Sequence, residues 1–249
     1  MKQGRIVETE VKQRSNVIQE FSRFAHQYDK YNVIQAKAAK TLVEGLSSKV
    51  YKNIIDLGCG SGAVFKNFKI HNISVENFVV IDSSQTMLDI HPTSCTICKI
   101  CSSFNEKNFL STLPKMNFDL VISSSSLQWS QDIDFTINII SDISDNFSAA
   151  IFTSNTFKTL HATAGVKSPI YDRVTLQKAI EKYYKKVSFS VQEYQLSFST
   201  TREMFKYIKQ SGVSSGEKKL SYREIKKLMD AYPLNYLEFE VLFVKAQKI

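Results

Sequence analysis

At 249 residues, with 43% hydrophobic and 22% charged side chains, the chain can bury the core of one large α/β domain or of two small ones. Its apolar runs stop short of the roughly 18 residues that a membrane-spanning helix needs. Residues 1–14 lack the apolar core of a signal peptide, so a cytosolic protein with no membrane partner is expected. The 32 Lys and Arg outnumber 24 Asp and Glu, giving a net charge of +8 scattered over the predicted helices and turns, with short clusters at Lys182–Lys186, Lys218-Lys219 and Lys226-Lys227. Without an Arg-rich tail or interleaved aromatics, that surplus argues against nucleic acid and suits a solvated surface or an acidic protein partner.

Residues 15–46 predict two helices, from Phe21, Phe24, Ala25 and Tyr28 and then Ile34, Ala38, Leu42 and Leu46 at helical spacing. A buried strand at Ile54-Ile55 follows, then a helix over 63–69, a second strand at Phe78–Ile81 and a short helix over 85–90. Strands at Cys95–Cys101, Phe118–Ile122 and Ala149–Phe152 continue the series, with a helix carrying Ile133, Ile137 and Ile140 before the last. Short Val/Ile runs alternating with helices predict a mostly parallel sheet covered on both faces. Beyond residue 155 the pattern changes to helices at 157–164 and 173–184, an alternating strand at Val187–Phe198, and helices at 201–211 and 221–231. The second of these carries Tyr222, Ile225, Leu228, Met229 and Tyr232 on one face, and Pro233 stops it. Tyr236–Val244 closes the chain as a strand. A single domain over 1–249 is expected, divided into an N-terminal helical part (15–46), a core (50–155) and a substrate side (156–249).

Cys95, Cys98 and Cys101 are spaced by two residues, a spacing that invites a metal or iron–sulfur reading. The run between them is rich in β-branched residues, and a strand would set Cys95 and Cys101 on one face and Cys98 on the other. Structural thiols and no metal are the expectation.

The chemistry-bearing signal is Ile54-Ile55-Asp56-Leu57-Gly58-Cys59-Gly60-Ser61-Gly62: a buried strand running into three alternate glycines and a helix. Glycine permits positive φ and close approach of a ligand to the backbone. Asp82 ends the next strand, where a carboxylate can accept both hydroxyls of a ribose. A dinucleotide loop would leave two residues before its third glycine; this loop leaves one.

Here the sequence resembles the class I methyltransferases, whose first motif is an acidic residue, a spacer and that glycine pattern. Ile81-Asp82-Ser83-Ser84-Gln85-Thr86-Met87-Leu88 resembles the family's second block, and Phe118-Asp119-Leu120-Val121-Ile122-Ser123 its fourth. The resemblance implies a Rossmann-like sheet, mostly parallel with its last strand antiparallel, an N-terminal helical lid and an inserted helical segment. It also implies S-adenosyl-L-methionine as cofactor, with Gly58, Gly60 and Gly62 along its methionyl part, Asp82 on the ribose and Met87 near the adenine. Asp56, Ser83, Ser123 and the stretch Ser102-Ser103-Phe104 complete the implied cofactor set. Where the family commonly has Gly-Asp-Ala after the third strand, this chain has Cys101-Ser102-Ser103, which supplies no charge to the adenine.

Phe21–Tyr31, Ser126-Leu127-Gln128-Trp129, Tyr207–Val213 and Pro233–Tyr236 are similar to one branch, the malonyl-acyl-carrier-protein O-methyltransferases of biotin synthesis. That implies methylation of the free carboxylate of a malonyl thioester on acyl carrier protein, by a protein expected to be a monomer. Tyr28 is the candidate nearest the methyl group, and Tyr31 and Trp129 are candidate substrate contacts. Lys209, Arg202 and Arg173 are candidate cations for the substrate carboxylate, with Lys158 and His161 behind them. The alternatives are a small carboxylic acid or quinone precursor as acceptor, or a non-catalytic module that keeps the cofactor fold.

Overall fold

The computed structural model describes residues 32–210 and 222–248. The helix expected around Phe21–Tyr28 lies outside these residues, and with it Tyr28 and Tyr31.

The chain runs α1 (Val33–Glu44), β1 (Val50–Leu57), α2 (Ala63–Ile70), β2 (Ser74–Asp82), α3 (Gln85–Ile90) and β3 (Ile97–Cys101). It continues through β4 (Leu120–Ser124), a 3-10 turn (Leu127–Trp129), α4 (Ile133–Ile143), β5 (Asn146–Phe152), α5 (Lys158–Ala164) and α6 (Arg173–Tyr183). β6 (Lys186–Ser197), α7 (Thr201–Gln210), α8 (Tyr222–Ala231) and β7 (Tyr236–Gln247) follow. The strands form one sheet in the order β3-β2-β1-β4-β5-β7-β6. Strands β1 to β5 pair in parallel, and β7 is antiparallel to both of its neighbours. This is the mostly parallel sheet expected from the sequence, with its last strand reversed and a helical pair, α7 and α8, inserted between β6 and β7.

Alternation along the strands divides the core. Ile54, Val80 and Ile122 face a cluster shared with α1, α2, α7 and α8. Ile55, Leu57, Val79, Ile81 and Val121 face a second cluster with α4 and α6. Because both faces are covered, these strands carry no polar alternation. The sheet reverses its winding between β1 and β4, the point where open α/β sheets form a crevice beyond the strand C-termini.

Helix α1 ends at Gly45, beside Lys245, which pairs with Ser148 near the start of β5.

Three expectations need correction. β2 begins at Ser74, four residues early, because its first half is an exposed polar extension with Glu76 and Asn77 facing solvent. β3 begins at Ile97, so Cys95 lies in the preceding turn and shares no strand face with Cys101. All three clustered cysteines are exposed free thiols. On α8, Leu228 and the following Tyr232 are buried, but Ile225 is 37% exposed, so the apolar face is only partly covered.

Candidate cofactor and acceptor site

The end of β1 turns through Gly58 (φ 72°), Gly60 (φ 51°) and Gly62 (φ 85°), all in the left-handed region that glycine occupies without strain. Their surroundings differ. A β-carbon on Gly58 would stand 2.2 Å from Ser126 Cβ, and one on Gly62 would stand 2.6 Å from Pro92 Cδ and 3.0 Å from His91. A β-carbon on Gly60 would meet nothing within 4 Å. Two glycines are thus required by internal packing, and the middle one opens onto free space. Gly62 also begins α2, where the first turn leaves backbone N–H groups unpaired.

Asp82 ties this loop to β2. Its Oδ2 accepts the Gly60 N–H at 2.9 Å and its Oδ1 accepts the Ser84 N–H at 2.8 Å. Burial raises its pKa, and the N–H groups of Ser84, Gly60 and Ser83 work against that shift. Ser84 then caps α3, accepting the Met87 N–H, and Met87 is buried one turn from Asp82. Ser83 is exposed at the loop surface. The Ser102 N–H donates to the Asp82 main-chain carbonyl at 3.1 Å, which ties the half-buried Ser102 to the end of β2, and Ser103 and Phe104, also half-buried, follow it.

Asp56 is fully buried, and neither of its carboxylate oxygens accepts a hydrogen bond. Burial first, and then the charge of Asp82, push its pKa up to about 8. A buried carboxylate without a partner is costly unless a cation or donor arrives to pair with it. That chemistry fits a ligand carrying an ammonium group.

Across the crevice, β4 ends in four serines. The Ser123 and Ser126 hydroxyls both donate to the Leu57 carbonyl, at 2.8 and 2.7 Å, and their oxygens lie 2.8 Å apart. Ser123 is fully buried in this lock between β1 and β4. Ser125 sits at φ 61°, unusual for a non-glycine residue. The Ser124 and Ser125 hydroxyls and the Gln128 side-chain carbonyl are buried without partners. Backbone strain and unpaired polar atoms thus fall together on one five-residue turn.

Trp129 follows, half-buried, its carbonyl accepting from Asn105 Nδ2 at 3.3 Å. Asn105 Oδ1 accepts the Gln131 N–H at 2.9 Å, so this residue, which sequence reasoning missed, joins the loops after β3 and β4. The start of α6 is tied to the same rim, since Tyr171 OH donates to the Gln131 carbonyl at 2.9 Å and its own carbonyl accepts the Ser154 N–H. Arg173, exposed, begins α6 there, and Arg202, exposed, lies in the first turn of α7. Lys209 belongs to α7, but its side chain lies outside the described residues. Lys158 pairs with Glu238 at 3.7 Å, and burial lowers the pKa of His161.

A sheet that changes winding beside a glycine turn, with carboxylates ending β1 and β2, is the layout of the class I S-adenosylmethionine-dependent methyltransferases, and the chain is similar to that class in sequence and in fold. Residues 33–142 match the family model described as Methyltransferase small domain. The chain is 33% identical over 153 residues to malonyl-[acyl-carrier protein] O-methyltransferase of Acetivibrio thermocellus, covering 57% of this chain and 50% of that protein. It therefore spans about half the length of that relative. The protein of the same name from Halorhodospira halophila is 20% identical over 223 residues, 82% of this chain and 73% of the relative. Ribosomal RNA small subunit methyltransferase C of Buchnera aphidicola is 26% identical over 138 residues, 55% of this chain and 38% of the relative. Among solved structures, the YcgJ protein of Bacillus subtilis superposes with a TM-score of 0.63 at 9% identity, covering 86% of this chain and 99% of that one, a likeness of fold alone. Family and fold imply S-adenosyl-L-methionine as cofactor, and the unpartnered Asp56 carboxylate fits its ammonium group.

Proposed function

We propose that this protein methylates the free carboxylate of a malonyl thioester carried on acyl carrier protein. The observation that carries this reading is the extent of the likeness to a malonyl-[acyl-carrier protein] O-methyltransferase. It covers 82% of the chain, well past the core that is also similar to an RNA methyltransferase.

The cofactor supplies a methyl carbon bound to a cationic sulfur: a carboxylate oxygen takes the methyl as the sulfur–carbon bond breaks, leaving a methyl ester and a neutral thioether. The acceptor has a pKa near ~4 and is ionised at neutral pH, so no proton has to be moved. What the chain contributes is positioning and exclusion of water, effects worth roughly 7–11 kcal/mol when the reacting atoms are well aligned.

In this reading Asp56 pairs with the cofactor's ammonium group, the backbone at Gly60 lies along its methionyl part and Asp82 accepts from the ribose. Ser83, Met87, Ser102, Ser103 and Phe104 surround the adenine, while Ser123 and Ser126 hold the two strand ends at fixed spacing. Tyr28 remains the candidate nearest the methyl group and Tyr31 a candidate substrate contact, both outside the described residues, while Trp129 borders the acceptor. Arg173, Arg202 and Lys209 are the cations available to the malonyl carboxylate; an arginine would grip it through two donors.

The test is an acceptor panel with labelled cofactor: malonyl-acyl carrier protein, malonyl-coenzyme A, free dicarboxylic acids and ribosomal RNA. A base-labile methyl ester on the malonyl carrier is the expected product. Methylation of RNA or of a free acid, with none on the malonyl thioesters, would overturn the reading.

A further inference from the structure

The net charge is not evenly spread. The segment between β6 and β7, residues 198–235, holds eight Lys and Arg against four Asp and Glu, so half of the surplus of +8 sits in about a seventh of the chain. Both helices of this segment are amphipathic. Met204, Tyr207 and Ile208 of α7, with Leu228 of α8 and the following Tyr232, are buried in the core cluster beneath them. Phe205 and Tyr232 join the two helices through an edge-to-face ring contact at 6.4 Å. The opposite sides carry Lys206 on α7 and Arg223, Lys226 and Lys227 on α8, all exposed. Among the described residues none of these four cations has an ion-pair partner, whereas lysines elsewhere do, as Lys182 with Asp134 and Lys158 with Glu238.

Topology puts this basic face at the functional end of the sheet. Ser197, the last residue of β6, pairs with Tyr236, the first of β7, and both lie five residues beyond the level at which Phe152 ends β5 opposite Val241. The helical pair leaves and re-enters the sheet at that extension, on the side where β1, β2, β4 and β5 end.

We infer that the outer face of α7 and α8, around Lys206, Arg223, Lys226 and Lys227, docks an acidic protein domain that delivers a tethered acceptor to the crevice. The inference rests on the carrier-bound substrate proposed above. A protein fits this face better than RNA for two reasons. The described aromatic rings of the two helices are packed inward and offer no stacking surface among the described residues, and Glu203, Glu224 and Asp230 interrupt the cations. Opposed patches of mixed but complementary charge steer association and fix register between proteins.

Fluorescence anisotropy of labelled holo-acyl carrier protein, titrated with the full chain, tests this directly. The double variant Lys226→Glu/Lys227→Glu and, separately, Arg223→Glu/Lys206→Glu should each weaken binding about 10-fold or more, and added salt should weaken the wild type. Reversing Lys40 and Lys69, on α1 and α2, should leave the affinity as it was, and melting temperatures of all variants should match. Unchanged affinity in both double variants would overturn the inference, as would absence of carrier binding at low salt or displacement of the carrier by polyuridylate. Methyl transfer by the wild type to malonyl-coenzyme A and to the malonyl carrier, measured alongside, separates the two ideas. Carrier binding lost by charge reversal, without any esterification, leaves the docking face standing and removes the proposed reaction.

Discussion

Ser126 closes over Gly58 so tightly that a β-carbon on the glycine would fall 2.2 Å from the serine's own, while its hydroxyl reaches the Leu57 carbonyl one residue away. The turn after β4 and the turn after β1 are therefore one packed unit. Gly58→Ala has to displace Ser126 and hold a left-handed alanine, and should cost about 2–4 kcal/mol of stability in urea unfolding. Gly60→Ala meets no atom and should cost only about 1 kcal/mol. Its effect should instead appear as weaker binding of S-adenosylhomocysteine, because its β-carbon enters the open space. Equal losses of stability in the two variants would contradict this division.

Asp82 has two duties, holding the glycine loop through the Gly60 N–H and offering its remaining lone pairs to a ligand. Asp82→Ala removes both, and cofactor-product affinity should fall about 10- to 100-fold by calorimetry, the range for loss of one charged hydrogen bond. Asp82→Asn keeps only one acceptor oxygen and should fall between. Wild-type affinity in the alanine variant would show that the carboxylate has no part in binding.

Asp56 makes a pH signature. In the unfolded chain it ionises near ~4, and in the folded protein near about 8. Between those values the folded, cofactor-free protein holds a proton that the unfolded chain has lost. This contribution to stability is fully present below about pH 4 and is lost as pH rises through about 8. Asp56→Asn should flatten that part of the stability profile. Pairing with an ammonium group requires the ionised form, so binding of S-adenosylhomocysteine at pH 7 should release a proton. Calorimetry in buffers of different ionisation enthalpy reads it: buffer-dependent heat for the wild type, none of that component for Asp56→Asn.

Ser125 offers a test in the opposite sense. Its φ of 61° and its buried, unpartnered hydroxyl both burden the fold. Ser125→Gly should stabilise by about 1 kcal/mol, raising Tm by about 2–4 °C for a chain of this size. The same variant should lose activity if the hydroxyl serves the acceptor. A lowered Tm would show that the serine is unstrained.

The order of strands and helices was legible because strands buried on both faces must be continuously apolar, and Ile54-Ile55, Phe78–Ile81 and Ala149–Phe152 are. The glycine turn and Asp82 were legible as well, since positive φ and a carboxylate at a strand end each demand a residue type. Other features carried no such mark. Nothing in Ser123-Ser124-Ser125-Ser126 distinguishes the two hydroxyls that lock onto Leu57 from the two left unpaired, because the difference arises where β4 meets β1 in space. Asn105 joins two loops and His91 backs Gly62 for the same reason, through contacts between distant segments. The polar first half of β2 was hidden because an exposed strand extension has no apolar run to announce it.

An adenosyl ligand seated where β1 and β2 end is tested most directly by titration calorimetry with S-adenosylhomocysteine. Wild-type protein should bind one equivalent with release of a proton near neutral pH, and the Gly60→Ala and Asp82→Ala variants should bind more weakly while remaining folded. Heat changes indistinguishable from buffer dilution for the folded wild type would contradict it.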